Sequence, residues 1–191
     1  MSLINLSDTL NSAPISKGNF NACTSSEGAA TLINPEVEAL INEVREGVNV
    51  HFVSRGAWSM HELLEGLLRR FGRSVVMMST YAVSETAART FSRLKDEGLI
   101  ADLYCVIDNR VDVRSAGSLQ LLRSTATRMA LCACHAKVTV LDFWGIGQLT
   151  IVGSANYTEN NRYEVGFITM DRTVADCHNK WILDAIADGA D

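Results

Sequence analysis

Residues 74–108 read SVVMMSTYAVSETAARTFSRLKDEGLIADLYCVID, and this stretch decides the fold class. Its first seven residues are almost continuously apolar, 84–97 carry helical spacing behind a serine, Gly98 stops the helix, and 100–108 turn apolar again. Strand, helix and strand at these lengths form a β-α-β unit, which joins parallel strands. An unbroken apolar strand belongs in a sheet covered on both faces. The expectation is an α/β domain with a mixed β-sheet flanked by helices.

Upstream, Asn34-Pro35-Glu36 has the form of a helix start, and Val37, Leu40, Ile41 and Val44 follow at helical spacing until Gly47. Residues 48–54 alternate as a strand. Ser59-Met60-His61-Glu62 is a capping-box pattern ahead of a helix over 63–71, closed by Gly72. Residues 1–34 are rich in Ser, Asn, Thr, Gly and Ala without sustained periodicity, so they are expected to form an arm, with the ordered domain over 35–191. Downstream of Asp108 come a polar, arginine-bearing stretch, a short helical piece around 119–127, and 129–134 running into 136–141 as one long strand or two. A turn over 143–148 with Gly145 and Gly147, strands at 149–153 and 165–170, and a closing helix at 174–187 complete the chain. No internal repeat is visible.

With 191 residues, 47% of them hydrophobic and 20% charged, the chain can bury one substantial core, and it has no apolar run long enough to span a membrane. No basic segment followed by an apolar one opens the sequence, so a cytoplasmic location without membrane insertion is expected. Five cysteines, an odd number, are expected to be reduced. The net charge of −5 hides a division: residues 1–65 hold three basic and eight acidic side chains, 66–137 eleven and six, and 138–191 three and eight. A basic middle between acidic flanks can attract a polyanion locally against the global sign.

The residues that carry chemistry are His135-Ala136-Lys137, Asp142 after four more residues, Gly153-Ser154-Ala155-Asn156, and Glu164. If they lie on strands, His135 and Lys137 share one face, and Ser154 and Asn156 stand two apart at the end of the next strand. An imidazole, an ammonium, a hydroxyl and an amide gathered there suit a phosphodiester. The imidazole can attack phosphorus while the ammonium and amide hold the nonbridging oxygens. Glu164 is placed to bind the second ring nitrogen of His135 and fix its tautomer.

His-x-Lys, four residues, Asp, then Gly-Ser-x-Asn resembles the HKD motif of the phospholipase D superfamily, and the resemblance covers roughly residues 45–187. It implies a phosphodiesterase that works through a phosphohistidine without metal or other cofactor. His135 would be the nucleophile, Lys137, Ser154 and Asn156 the phosphate-binding groups, and Glu164 the residue that orients the histidine. Asp142 and Gly153 would be structural members of the motif. The reaction uses two histidines, one to attack and one to protonate the leaving alkoxide. This chain has a single His-x-Lys, so the resemblance implies a half-domain that pairs as a homodimer around a shared site. Single-motif bacterial members of this size resemble endonucleases more than lipases, which makes DNA or RNA the expected substrate. Arg110, Arg114, Arg123 and Arg128 would supply a backbone path. The other readings are a lipid hydrolase and a module that holds phosphate or nucleic acid without turning it over.

A zinc site at Cys132-Ala133-Cys134-His135, with Cys177-His178 downstream, is not favoured: Cys132 and Cys134 would share one face of a strand with His135 on the other, and Cys-x-Cys does not match the usual knuckle. Trp58, Trp144 and Trp181 are expected to be packing residues, with Trp144 in a position to border a substrate groove if its turn lies near the motif.

Overall fold

The computed structural model describes residues 23–25, by their backbone, together with 28–110, 116–159 and 161–189. The elements, in chain order, are β1 (Cys23–Ser25), β2 (Ala29–Ile33), α1 (Val37–Glu43), β3 (Asn49–Ser54), α2 (Met60–Phe71), β4 (Ser74–Thr80), α3 (Glu85–Asp96), β5 (Ile100–Asp108), α4 (Ala116–Thr125), β6 (Arg128–Cys132), β7 (Val138–Phe143), β8 (Gly147–Gly153), β9 (Glu164–Thr169) and α5 (Arg172–Asp188). Among the described residues the strands form one mixed sheet in the order β1-β2-β3-β9-β8-β7-β4-β5-β6.

The β-α-β unit sits where its sequence requires. Strands β4 and β5 pair in parallel, with β7 and β6 on their outer sides. Alternate residues of β5 serve different cores: Leu103, Cys105 and Ile107 join the side chains of α2, α3 and α4, while Val106 packs against Ile182 and Ile186 of α5. A strand with an apolar layer on each side cannot afford polar alternation, which explains its continuous apolar run. Among the described residues, no helix is long and apolar enough to cross a membrane.

The capping box forms as expected, with Ser59 at the N-cap of α2, Glu62 returning to the Ser59 backbone, and Gly72 at the C-cap. At α1 the expectation is corrected. The cap is Glu36, not Asn34, and the helix ends at Glu43 before Gly47 is reached. Asn34 instead takes a left-handed φ of 50° and donates its backbone N–H to Val53, so it turns the chain off β2.

Residues 29–33, expected within the arm, form β2, which lies parallel to β3 and buries Ala30 and Leu32. Their alternation is real but only five residues long, and the pairing that rewards it comes from the far side of α1. Of the rest of the expected arm, β1, Gly28 and Asn34 are described, and the other residues lie outside the described residues.

The stretch expected as one strand or two is two, and they are far apart in the sheet. β6 forms its edge beside β5, whereas β7 lies between β4 and β8. Residues 133–137 therefore cross over the ends of β5 and β4, three strand spacings or about 14 Å, with six Cα steps that reach about 20 Å at most. The crossing is short. It carries His135.

Candidate active site

The crossing segment is fastened to the sheet crest beneath it. The Cys134 N–H donates to Asp108 Oδ2 at 3.0 Å, and Ser79 Oγ donates to the Ala136 carbonyl at 3.4 Å. His135, between these two ties, is thus held above the carboxyl ends of the parallel strands β5 and β4, the usual place for a site in an open α/β sheet. His135 and Lys137 leave the crossing rather than a strand, which corrects the expectation of a shared strand face. They meet all the same: Lys137 Nζ lies 3.1 Å from Nδ1 and 3.3 Å from Nε2 of His135 and donates to its carbonyl at 2.7 Å.

The second half of the motif arrives through the hairpin. β7 and β8 pair from Val138 opposite Val152, and the Gly153 N–H donates to the Lys137 carbonyl at 3.1 Å. Ser154 and Asn156 follow directly. A Cβ on Gly153 would lie 2.7 Å from the carbonyl oxygen of Val165, so only glycine lets β8 approach β9 this closely. That approach brings the Ser154 hydroxyl to Glu164, to which it donates, while it accepts from the Val165 N–H at 3.0 Å. Gly153→Ala is expected to force these strands apart, costing about 1–3 kcal/mol in urea unfolding and lowering turnover together with it.

Asn156 is oriented by the end of β4. Its Oδ1 accepts from the Tyr81 N–H and lies within hydrogen-bond distance of Thr80 Oγ1, both at 3.2 Å. The amide oxygen is thereby committed, and the nitrogen is the end presented as a donor. Glu164, at the start of β9, takes the Ser154 hydroxyl, while the ring of His135 meets Lys137 and the Tyr81 ring, whose centroid is 5.2 Å away. Burial pushes the Lys137 ammonium below its ordinary value against the raising influence of Cys134, Glu164 and Asp108.

Asp108 was read only as the end of a strand, and it organises this side of the site. Its side chain is wholly buried, pairs with Arg110 through two bonds (Nε to Oδ1 at 2.7 Å and a terminal nitrogen to Oδ2 at 2.9 Å), and accepts from Cys134. The Arg110 guanidinium beside it holds the carboxyl well below the usual carboxylate range. Arg110 in turn lies over the Tyr81 ring, 4.9 Å from its centroid, and Lys137 Nζ lies 5.8 Å from the same ring. A carboxylate closing an apolar strand at the carboxyl edge of a parallel sheet was the available signal.

Of the remaining expected residues, Arg110 is at the site and Arg114 lies outside the described residues. Arg123 and Arg128 do not extend a path to His135. They line one cavity at the opposite end of β6 from Cys132, because Arg128 begins the strand whose far end adjoins Asp108. Asp142 is exposed on β7 and accepts from Gln148 Nε2 at 3.1 Å across the hairpin, a structural role. Trp144 sits at the hairpin tip, away from the Lys137 and Gly153 end, with Arg73 over its ring, and so borders no groove at the motif. Cys134 is buried, Cys132 half-buried, and no cluster of three His, Cys, Asp or Glu able to hold a metal occurs among the described residues.

No family model and no curated protein matches the chain. Solved structures do. The phospholipase D family member Nuc from Salmonella typhimurium superposes with a TM-score of 0.56 at 17% identity over 75% of this chain and 97% of its own. NucT from Helicobacter pylori gives 0.56 at 16% identity over 74% and 97%. Polyphosphate kinase from Porphyromonas gingivalis gives 0.51 at 14% identity over 73% of this chain and 26% of the kinase. The sheet with its flanking helices, reached from residues 74–108, is therefore the fold of the phospholipase D family member Nuc.

Proposed function

We propose that the protein is a phosphodiesterase acting on nucleic acid through a phosphohistidine, without a metal ion, at a site completed by a second copy of the chain. The observation that carries this reading is the convergence of His135, Lys137, Ser154 and Asn156 on one end of the sheet, from two segments joined through Gly153 and Lys137. His135 attacks phosphorus, a P–N bond forms, and the P–O bond to the leaving strand breaks. Lys137 and the Asn156 amide hold the nonbridging oxygens, so the positive charge facing the phosphate comes from the chain itself. The partner subunit's His135 protonates the leaving alkoxide, then takes a proton from the water that cleaves the P–N bond and restores the first histidine.

Several features favour nucleic acid over lipid. Arg110 stands beside the motif, the central third of the sequence is basic, and the single motif in a short chain resembles the endonuclease branch of the superfamily. The test is incubation with plasmid, single-stranded DNA, RNA and phosphatidylcholine vesicles in excess EDTA, beside sedimentation of the same sample. Cleavage of nucleic acid that persists in EDTA from a dimer is expected. Loss of activity in EDTA removes the metal-free route, turnover of lipid alone removes the substrate assignment, and an active monomer removes the shared site.

A further inference from the structure

Immediately before β9, Tyr163 stands 67% exposed, more than any other large hydrophobic side chain among the described residues. Its neighbours in the chain tie it to the motif. Glu164 takes the Ser154 hydroxyl, the Ser154 N–H donates to the Val165 carbonyl at 3.0 Å, and the charge of Glu164 acts on the Lys137 ammonium. Tyr163 is a single Cα step, about 3.8 Å, from Glu164. Its ring therefore stands at the rim of the phosphate-binding groups, exposed where a substrate strand would leave them.

A cation backs this ring. Arg55 lies over it, 5.0 Å from the centroid. The sheet sets up the pair: Ser54 is opposite Glu164 in the antiparallel ladder of β3 and β9, so the next residues outward, Arg55 and Tyr163, face each other. Arg55 is itself exposed and makes no hydrogen bond or ion pair among the described residues. Its guanidinium covers one face of the ring and keeps its N–H donors for a ligand. With Tyr163 so exposed, the opposite face of the ring is open to solvent.

An open aromatic face beside a guanidinium with free donors matches one nucleotide of a single strand. The base stacks on the ring, and a phosphate of the same strand pairs with the arginine. A base inside a duplex is covered on both faces by its neighbours and cannot use the ring, whereas an unpaired base can. We infer that Tyr163 and Arg55 form a stacking subsite for an unpaired base next to the phosphate at His135, so that single-stranded nucleic acid is the preferred substrate. This inference rests on the nuclease reading above and narrows its substrate class. It favours no particular base, because every base has a π-face.

The experiment measures kcat/KM for the full-length protein, Tyr163→Ala, Tyr163→Phe and Arg55→Ala. The substrates are a single-stranded oligonucleotide, the same strand with abasic residues flanking the cut phosphate, and its duplex; each variant is also sedimented. Both side chains are exposed, so the variants are expected to fold. Tyr163→Ala should lower kcat/KM on the intact single strand roughly tenfold, mainly through KM, to the value the parent shows on the abasic strand. Tyr163→Phe should restore the parent's value, since stacking needs the ring and not the hydroxyl. Arg55→Ala should flatten the dependence of log KM on log salt by about 0.7, the share of one phosphate on a single strand. The inference is overturned, and the nuclease reading left standing, if Tyr163→Ala cuts single strands like the parent or loses as much on the abasic strand or the duplex. An unchanged salt slope in Arg55→Ala, or a dimer that comes apart in Tyr163→Ala, overturns it equally. Failure of the parent to cut any nucleic acid overturns both.

Discussion

His135→Ala is expected to reduce phosphodiester turnover by about 10⁴-fold or more while leaving the urea unfolding midpoint within the scatter of the parent. The two halves of this expectation have separate causes. In the proposed reaction the imidazole supplies the P–N bond of the intermediate, and a methyl group offers no substitute nucleophile. Stability is spared because His135 is exposed on the crossing segment, whose ties to the sheet run through the backbone of Cys134 and Ala136 rather than through the imidazole. Exposed substitutions of this kind change stability by only about ±0.5 kcal/mol. Activity that survives in the variant would remove His135 as the nucleophile. A large fall in the midpoint would mean that the lost turnover reports unfolding.

The strands β4 and β5 could be read to the residue because each is an apolar run between strong punctuation, Gly72 and Arg73 before one and Gly98 before the other. The helix between them was equally legible from Ser84, which accepts from the Ala87 N–H at its N-cap. Local pattern failed where long-range pairing decides. Nothing within 129–141 separates a continuous strand from two strands with a third and a fourth between them, since apolar alternation runs through the crossing. β2 was lost for the same reason: five residues of alternation carry little weight until β3, beyond a helix, is available to pair.

The candidate site was legible in its residue types and not in its supports. His135, Lys137, Ser154 and Asn156 follow from their spacing, yet what holds them is distributed over β4 and β5. Thr80 and Tyr81 orient the Asn156 amide, and Asp108 anchors the crossing. The basic path was legible only as composition. Arg110 reached the site, while Arg123 and Arg128 went to the other end of β6, because a charge count along the chain does not know the direction in which a strand runs.

Asp108→Ala is expected to damage both the fold and the reaction. The substitution strands the Cys134 N–H, and a buried donor without a partner costs about 1–3 kcal/mol, a fall of several degrees in the melting temperature of a chain this size. It also frees Arg110 from its two-bond clamp and unties the crossing that positions His135, and a displacement of about 1 Å at a reacting group can cost roughly 100-fold in rate. Asp108→Asn separates these effects. Its amide oxygen can still accept from Cys134, so most of the stability should remain, while the charge that holds Arg110 is gone and turnover should still drop. The pH dependence supplies the sign. Arg110 holds the folded-state pKa of Asp108 below the ordinary 3.8, so the stabilisation by the carboxylate is complete above that value and disappears as the pH falls toward the lower folded-state pKa. The gap in unfolding free energy between the parent and Asp108→Asn should therefore be constant near neutrality and narrow only below about pH 4. A gap that stays the same down to pH 2 would show that the charge of Asp108 contributes nothing, and an Asn variant with full turnover would show that clamping Arg110 is unnecessary for the reaction.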